Sequence, residues 1–97
     1  MHRAARPGMV AMEFDVEESL LINEGGVQCT AVVFALPVPR GAAVELGNNA
    51  YLNDARVASL DAARAAQRGP GVVAFVLEDP MDARSFAAGD RVRLVRR

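Results

Sequence analysis

Carboxylate side chains are the residues of this chain whose spacing could support acid–base chemistry. Glu13, Asp15 and Glu17 alternate with apolar residues, and Glu18 follows directly. Two carboxylates can act as acid and base when burial moves their pKa values apart. Strict alternation instead places the first three on one face of a strand, which predicts a solvated polar face. Neighbouring strand residues face opposite ways, so only one of Glu17 and Glu18 should enter a given pocket.

The other reactive side chains are few. His2 is the only histidine and Cys29 is the only cysteine. A Ser-His-Asp or Cys-His site needs its histidine held in a cleft, whereas His2 stands in an end that we expect to be flexible. These two residues supply too few ligands for a metal, and Cys29 stands in an apolar strand pattern typical of a small buried residue. We therefore predict a protein that is not an enzyme and has no cofactor and no metal.

Arginine is the only basic side chain apart from the single histidine, since all 11 Lys and Arg residues are arginine. A phosphate-loop lysine and a lysine Schiff base are thereby excluded. Arg91, Arg93, Arg96 and Arg97 form a basic cluster that could bind phosphates, because a guanidinium pairs bidentately with them. The cluster lacks aromatic neighbours for base stacking, and the net charge of −1 gives no overall attraction to nucleic acid. A solvated, frayed terminus is the alternative interpretation.

Length and composition indicate one domain. A chain of 97 residues should bury about 60–70% of its unfolded surface, which suffices for one core. A single cysteine permits no internal disulfide and fits a reducing compartment. The sequence has no apolar run of about 18 residues and no secretory apolar segment near Met1, so we expect a cytoplasmic protein with no membrane contact. Abundant alanine with arginine in place of lysine suggests a GC-rich, bacterial genome.

The chain divides into a basic lead-in over residues 1–11, expected to be flexible, and a single β-rich domain over residues 12–97. Asp61 and Gly69 are a typical N-cap and stop for a short helix over residues 61–68. Pro37, Pro39 and Gly41 should end the second strand, because proline cannot donate to a ladder. Turns rich in glycine and asparagine are predicted at 24–26 and 47–49, and a loop is predicted at 80–87. The predicted strands are 12–17, 27–36, 43–46, 56–60, 72–77 and 91–95, with a short apolar piece at 20–22.

Short strands at spacings of about ten residues are typical of an all-β sandwich or barrel. Closure removes the exposed edges of a small sheet, so we predict an all-β closed barrel with one short helix. The choice between Val72 and Val73 as an interior residue depends on the register, which a one-residue slip inverts. The predicted core is Phe14, Val16, Ile22, Val33, Val44, Leu46, Leu60, Val72 or Val73, Phe75, Leu77, Val92 and Leu94.

Several short motifs follow one another in a fixed order along the chain. They are Val16-Glu17-Glu18, Leu21-Ile22, Gly26, Thr30-Ala31-Val32-Val33 and Gly41-Ala42-Ala43-Val44-Glu45-Leu46, with a closing part of Val57-Ala58-Ser59-Leu60, Val72–Leu77, Phe86 and Gly89–Val92. This order resembles the second domain of elongation factor Tu and related translational GTPases, which has an acidic pair, an apolar pair, a glycine turn, a threonine-led strand and a G-D-x-V-E-I strand. The resemblance covers residues 12–95.

The resemblance implies a six-stranded Greek-key barrel. In the family this barrel helps to bind the aminoacyl end of tRNA or packs against neighbouring domains, and its ligand-pocket positions correspond to Glu17, Glu18, Thr30 and Val33. The chain departs from the family pattern where Gly25 replaces the arginine of the glycine turn and Ala31 replaces the glycine after the threonine. The GTP-binding domain and its G-x-x-x-x-G-K-[ST] loop are missing, so we expect no nucleotide binding.

We therefore predict a non-catalytic, stand-alone β-barrel that docks to a protein partner. The alternative is an RNA-binding module for the tRNA acceptor end, with Arg91, Arg93, Arg96 and Arg97 as the nucleic-acid contacts. The two differ in salt dependence, because phosphate contacts weaken steeply as ionic strength rises. An enzyme is the third possibility, and a titratable cleft around Glu17 would be its sign.

Overall fold

The computed structural model describes residues 11–23, 25–26 and 28–97, and it confirms a closed antiparallel barrel of six strands. The basic lead-in lies outside the described residues except for Ala11. Neighbouring strands follow the order β1-β2-β5-β4-β3-β6, and β6 returns to β1. The strands are β1 Met12–Asn23, β2 Cys29–Val38, β3 Ala50–Leu52, β4 Ala55–Leu60, β5 Val73–Leu77 and β6 Arg91–Arg96.

The predicted short helix is confirmed as α1, Ala62–Arg68. The Asp61 carboxylate accepts a hydrogen bond from the Arg64 backbone N–H at 3.0 Å, which satisfies an otherwise unpaired N–H of the first turn. The helix ends at Gly69, whose φ of 142° lies where other residues are strained. The predicted loop over 80–87 contains a 3-10 helix, Pro80–Ser85, which is capped by the Asp79 side chain.

Strand β1 joins two segments that the sequence pattern separated. Residues 12–17 and the apolar piece 20–22 form one strand with a β-bulge between Val16 and Glu18. Val16 lies opposite Ala35 and Glu18 lies opposite Phe34, so Glu17 is the extra residue. A bulge breaks the two-residue alternation of faces. Ile22, predicted in the barrel interior, consequently packs against the outer side of the sheet.

The predicted strand over residues 43–46 is wrong. Residues 42–47 belong to no strand, and the short β3 lies beside β6 in the barrel instead. Ala43 and Glu45 instead line a small pocket with Met12, Leu94 and Arg96, outside the ladder. Val44 and Leu46 still pack against the interior cluster, so their alternation reports burial and not strand pairing.

Pro37 lies inside β2, contrary to the prediction that it ends the ladder. The strand continues to Val38 and is followed by a cis peptide bond to Pro39. Strand β5 reaches β2 only from Ala31 to Ala35, so Pro37 has β1 as its one neighbouring strand. Proline is tolerated at such one-sided strand positions, and the Pro37 ring is fully buried opposite Phe14.

Two apolar layers stabilise the barrel. In the interior, the rings of Phe14 and Phe75 meet edge-to-face with centroids 5.0 Å apart. Val73 packs against this interior cluster, whereas Val72 packs outside, which decides the register of β5. Small interior side chains that the predicted core omitted leave room for the large ones. The buried interior residues are Phe14, Val16, Ala31, Val33, Ala35, Ala50, Leu52, Ala55, Val57, Phe75, Leu77, Ala83, Phe86, Val92 and Leu94.

The second layer lies on the outside of β2 and β5, beneath α1. Its buried residues are Val32, Phe34 and Ala74, and Ala65 of α1 packs against them. Both faces of β2 and β5 are thus covered. Cys29 is exposed, contrary to the prediction of a buried thiol. It begins β2 opposite Asn23, beyond the point where β5 ends against Ala31.

Candidate functional site

The predicted pair Glu17 and Glu18 lies beside the last residue of α1. The Arg68 guanidinium approaches the Glu18 carboxylate at 2.6 Å and the Glu17 carboxylate at 3.7 Å. Both glutamates therefore reach one cation, contrary to the expectation that they face opposite ways, because the bulge turns them to the same side. The same guanidinium lies over the Phe34 ring, 4.4 Å from its centroid. This cluster fixes the end of α1 to the outside of the sheet.

The acidic residues Glu13 and Asp15 also meet an arginine. Arg91 of β6 binds Asp15 at 2.6 Å and Glu13 at 3.0 Å across the strand pair. The hydrogen bonds that the Arg91 guanidinium donates to Asp15 and then to Glu13 raise the pKa of Arg91 above that of an ordinary arginine. A group with a raised pKa stabilises the fold at every pH below its unfolded pKa, so this contribution is constant through the neutral range.

The predicted site residues Thr30 and Val33 do not share a surface. Val33 is fully buried in the barrel interior, whereas Thr30 has the parity of Val32 and Phe34, which face outward. Thr30 is four residues from Phe34, the partner of Glu18, or about 13 Å along β2. The structure therefore brings Glu17 and Glu18 together and separates both from Thr30 and Val33.

The four arginines of the predicted nucleic-acid contact are divided between two faces. Arg97 lies over the Tyr51 ring at 4.5 Å and binds Asp54 at 2.9 Å. Arg96 faces the end of the barrel and donates to the Glu45 carbonyl at 3.4 Å. Arg91 is paired with carboxylates, and among the described residues only the Arg93 side chain in this set has no ion-pair or hydrogen-bond partner. Two of the four guanidiniums, those of Arg91 and Arg97, are thus neutralised by carboxylates.

An open apolar groove of about 470 Å³ lies between α1 and residues 41–44. Its helical wall consists of Ala62, Ala65 and Ala66, and its floor includes Val72 and Val73. Alanine and glycine predominate in the lining, so a bound chain could approach the backbone of both walls closely. We call this region the α1 groove.

Polar groups are confined to the rim of the α1 groove. Asp61 lines it, and its carboxylate both caps α1 and binds the Arg64 guanidinium at 3.0 Å. Asp61 is therefore committed to the helix. The Asp61 backbone N–H donates to the Ala74 carbonyl at 2.9 Å, which fixes the start of the helix to β5. The helix α1, which forms one wall of the groove, is therefore short but attached to the sheet at both ends, through Asp61 at its start and Arg68 at its end.

Sequence reasoning did not find the α1 groove. Residues 41–44 and α1 are separated along the chain and meet only through the fold. The run Ala62-Ala63-Arg64-Ala65-Ala66 shows no apolar stripe of large side chains that would mark a binding face. A possible signal was the abundance of alanine on a helix flanked by Gly69 and Gly71.

The described part of the chain contains no group of three or more His, Cys, Asp or Glu residues placed to hold a metal ion. Nor do the described residues include a helix with the length and apolar character needed to cross a membrane. No family model matches this sequence, and no curated protein or solved structure matches the chain.

Proposed function

We propose that this protein is a non-catalytic interaction module that docks to a protein partner through the α1 groove. The observation that carries the proposal is the groove itself, an open apolar depression of about 470 Å³. Depressions of this size with apolar linings and few polar groups are typical of binding sites. The polar groups near it, Asp61 and Arg64, are engaged with each other and offer no acid–base pair.

The lining of the α1 groove defines the chemistry of the partner. Small side chains on both walls favour a chain segment in extended conformation with apolar side chains, since bulky walls would exclude its backbone. The groove is lined by a single charged residue, Asp61, whose charge is balanced by Arg64. A partner segment without charged residues therefore fits best, and its binding should depend weakly on salt.

A peptide library displayed on phage tests the docking site directly. Selection on the wild-type protein should enrich apolar peptides that also bind the Ala63→Arg variant but not Ala66→Arg. Ala66 lines the groove, whereas Ala63 is an exposed residue of the same helix outside the lining. Arginine is a good helix former, so both variants should fold equally. Failure to enrich any peptide, or equal binding by the two variants, would refute the proposal.

RNA binding is the second candidate, and it rests on Arg93 and on the six-stranded barrel. The Arg93 side chain is exposed on β6 and has no partner among the described residues. The Greek-key connectivity, the relation to the second domain of elongation factor Tu, the bacterial origin and the cytoplasmic location all remain predictions. On this proposal the chain would bind the acceptor end of tRNA, as the resemblance implies.

Titration with tRNA at several salt concentrations distinguishes the two functions. An RNA-binding module should lose affinity steeply as salt rises, with a slope set by the number of phosphate contacts. Arg93→Ala should reduce the slope of affinity against salt by about one. Ala66→Arg should leave that slope unchanged or should increase the affinity for tRNA. Salt-independent peptide binding without tRNA binding would exclude the RNA candidate.

A further inference from the structure

The second half of β1 has a neighbouring strand on one side only. Before the bulge, β1 pairs with β2 and, from Met12 to Asp15, with β6. Val16 then exchanges backbone hydrogen bonds of 2.8 Å with Gly89 and Asp90. Beyond Val16 the strand pairs with β2 as far as Asn23, and no other backbone hydrogen bond reaches it from the described residues. Strand β1 therefore has an open edge at residues 20–23.

The β1–β2 hairpin extends past the barrel at this point. Strand β5 ends with Leu77 opposite Ala31, which itself lies opposite Leu21. The Ser19 hydroxyl donates to the Ala83 carbonyl at 2.9 Å, so the 3-10 helix covers β1 up to Ser19. From Leu20 onward no described strand pairs with this side of β1. We call residues 20–23 the open edge.

The open edge lacks the features that keep sheet edges from pairing. Such edges usually carry lysine, proline or an inward-pointing charge, or they are covered by another segment. Residues 19–23 read Ser-Leu-Leu-Ile-Asn, without a charge or a proline. Leu21 is 50% exposed, one of two large apolar side chains with such exposure in the described part of the chain. An uncharged edge with an exposed leucine at its middle is suited to receive another strand.

We propose that the open edge pairs with the same edge of a second copy of this chain, in antiparallel orientation and centred on Leu21. In that register, Leu21 lies opposite Leu21 of the second copy. Leu20 then lies opposite Ile22. Apolar residues thus meet apolar residues, which is the self-complementarity that a two-fold interface requires.

The position of the open edge also favours a second copy. Antiparallel pairing about Leu21 directs the two barrels to opposite ends of the shared ribbon, so that they do not collide. Leu20 and Ile22 already pack against the outer apolar cluster of Val32, Phe34 and Ala74. Pairing continues this cluster across the two-fold axis and covers the exposed Leu21. The α1 groove lies at the opposite end of β5 from the open edge, so self-pairing leaves it accessible.

Disulfide trapping tests the register. In a Cys29→Ser background, which removes the exposed native thiol, Leu21→Cys places two thiols opposite each other across the axis. Directly opposed residues have Cα atoms about 4.5–5.5 Å apart, within the range of a disulfide. Oxidation should therefore convert most of this variant to a covalent dimer. Asn23→Cys in the same background is the control, because its thiols would stand about 13 Å apart along the strands and should remain reduced.

Sedimentation over a range of concentrations tests the association itself. The wild-type protein should dimerise, and Leu21→Lys should raise the dissociation constant by at least about tenfold, because like charges directly opposite repel. Met81→Lys changes the other exposed apolar side chain, 57% exposed, and should leave the dimer intact. Unchanged circular dichroism and melting temperature will show that both variants fold. A monomeric wild type at millimolar concentration, or equal crosslinking of the two cysteine variants, would overturn the proposal.

Discussion

Arg68 makes two kinds of contact with one planar group. Its guanidinium lies on the Phe34 ring and reaches the carboxylates of Glu17 and Glu18. Lysine could form the ion pairs but not the flat contact on the ring, because an ammonium group is compact and strongly hydrated. The side chain remains one-third exposed, so the carboxylate contacts should contribute as partly solvated pairs. Its importance lies in attaching α1 to β1 and β2 at once.

Arg68→Ala should lower the free energy of unfolding by about 1 kcal/mol, the sum of a cation–π contact and two partly solvated ion pairs. Urea denaturation measures the change. Arg91→Ala is the matched control, because Arg91 also binds two carboxylates but lies on no aromatic ring. It should cost less than Arg68→Ala. Equal losses in the two variants would show that the Phe34 contact contributes nothing.

At the scale of elements, α1 depends on its ends. Seven residues are too few for a helix to be stable alone in water. The Asp61 cap, the Gly69 stop and the packing of Ala65 on the outer cluster supply the missing stability. Because α1 forms one wall of the α1 groove, the groove exists only while these contacts hold.

Asp61→Ala should destabilise the protein by about 1 kcal/mol and weaken peptide binding in the α1 groove, because it removes the N-cap. Asp61→Asn keeps an oxygen that can accept from the Arg64 N–H and loses only the ion pair, so it should stay close to wild type. Urea unfolding gives the stability, and amide exchange at Ala65 and Gly69 reports the helix. Equal losses of stability in the two variants would show that the N-cap hydrogen bond contributes little to the free energy of unfolding.

The sequence predicted those elements whose signals are local. Asp61 and Gly69 delimited α1, and alternation around Phe14 and Val92 identified strands that the barrel contains. The bulge at Glu17 has no signal in the local sequence, because it depends on how β1 pairs with Ala35 and Phe34 of β2. It was therefore unforeseen that Glu17 and Glu18 would share Arg68.

Two further failures have the same physical origin. Residues 43–46 alternate like a strand, yet it is β3 that pairs with β6. A pattern of burial does not show which of two segments forms the backbone hydrogen bonds of the sheet. The α1 groove was missed because alanines contribute little to any periodic signal, and the groove forms only where α1 meets residues 41–44. Both features depend on contacts between segments distant in the chain.

At the scale of the whole molecule, the strands of the barrel differ in how completely apolar residues cover their two faces. Strands β2 and β5 are covered inside by the barrel core and outside by α1 and its neighbours. Their central residues, Val32 to Phe34 and Ala74 to Phe75, are almost entirely removed from solvent. Strand β6 is buried on one face only, with Arg91 and Arg93 exposed on the other. The β2–β5 pair is therefore the part of the ring with the most apolar packing.

Strand β6 completes the ring, since it pairs with β1 on one side and β3 on the other. A ribosome delivers these partners in sequence, β1 first and β6 last. Until β6 emerges, the first half of β1 and the outer side of β3 lack the strand that pairs with each of them in the finished barrel. Unpaired strand edges are sites of misassembly. The β1 edge that β6 closes is made first and closed last, so it stays unpaired for longer than any other edge of the ring.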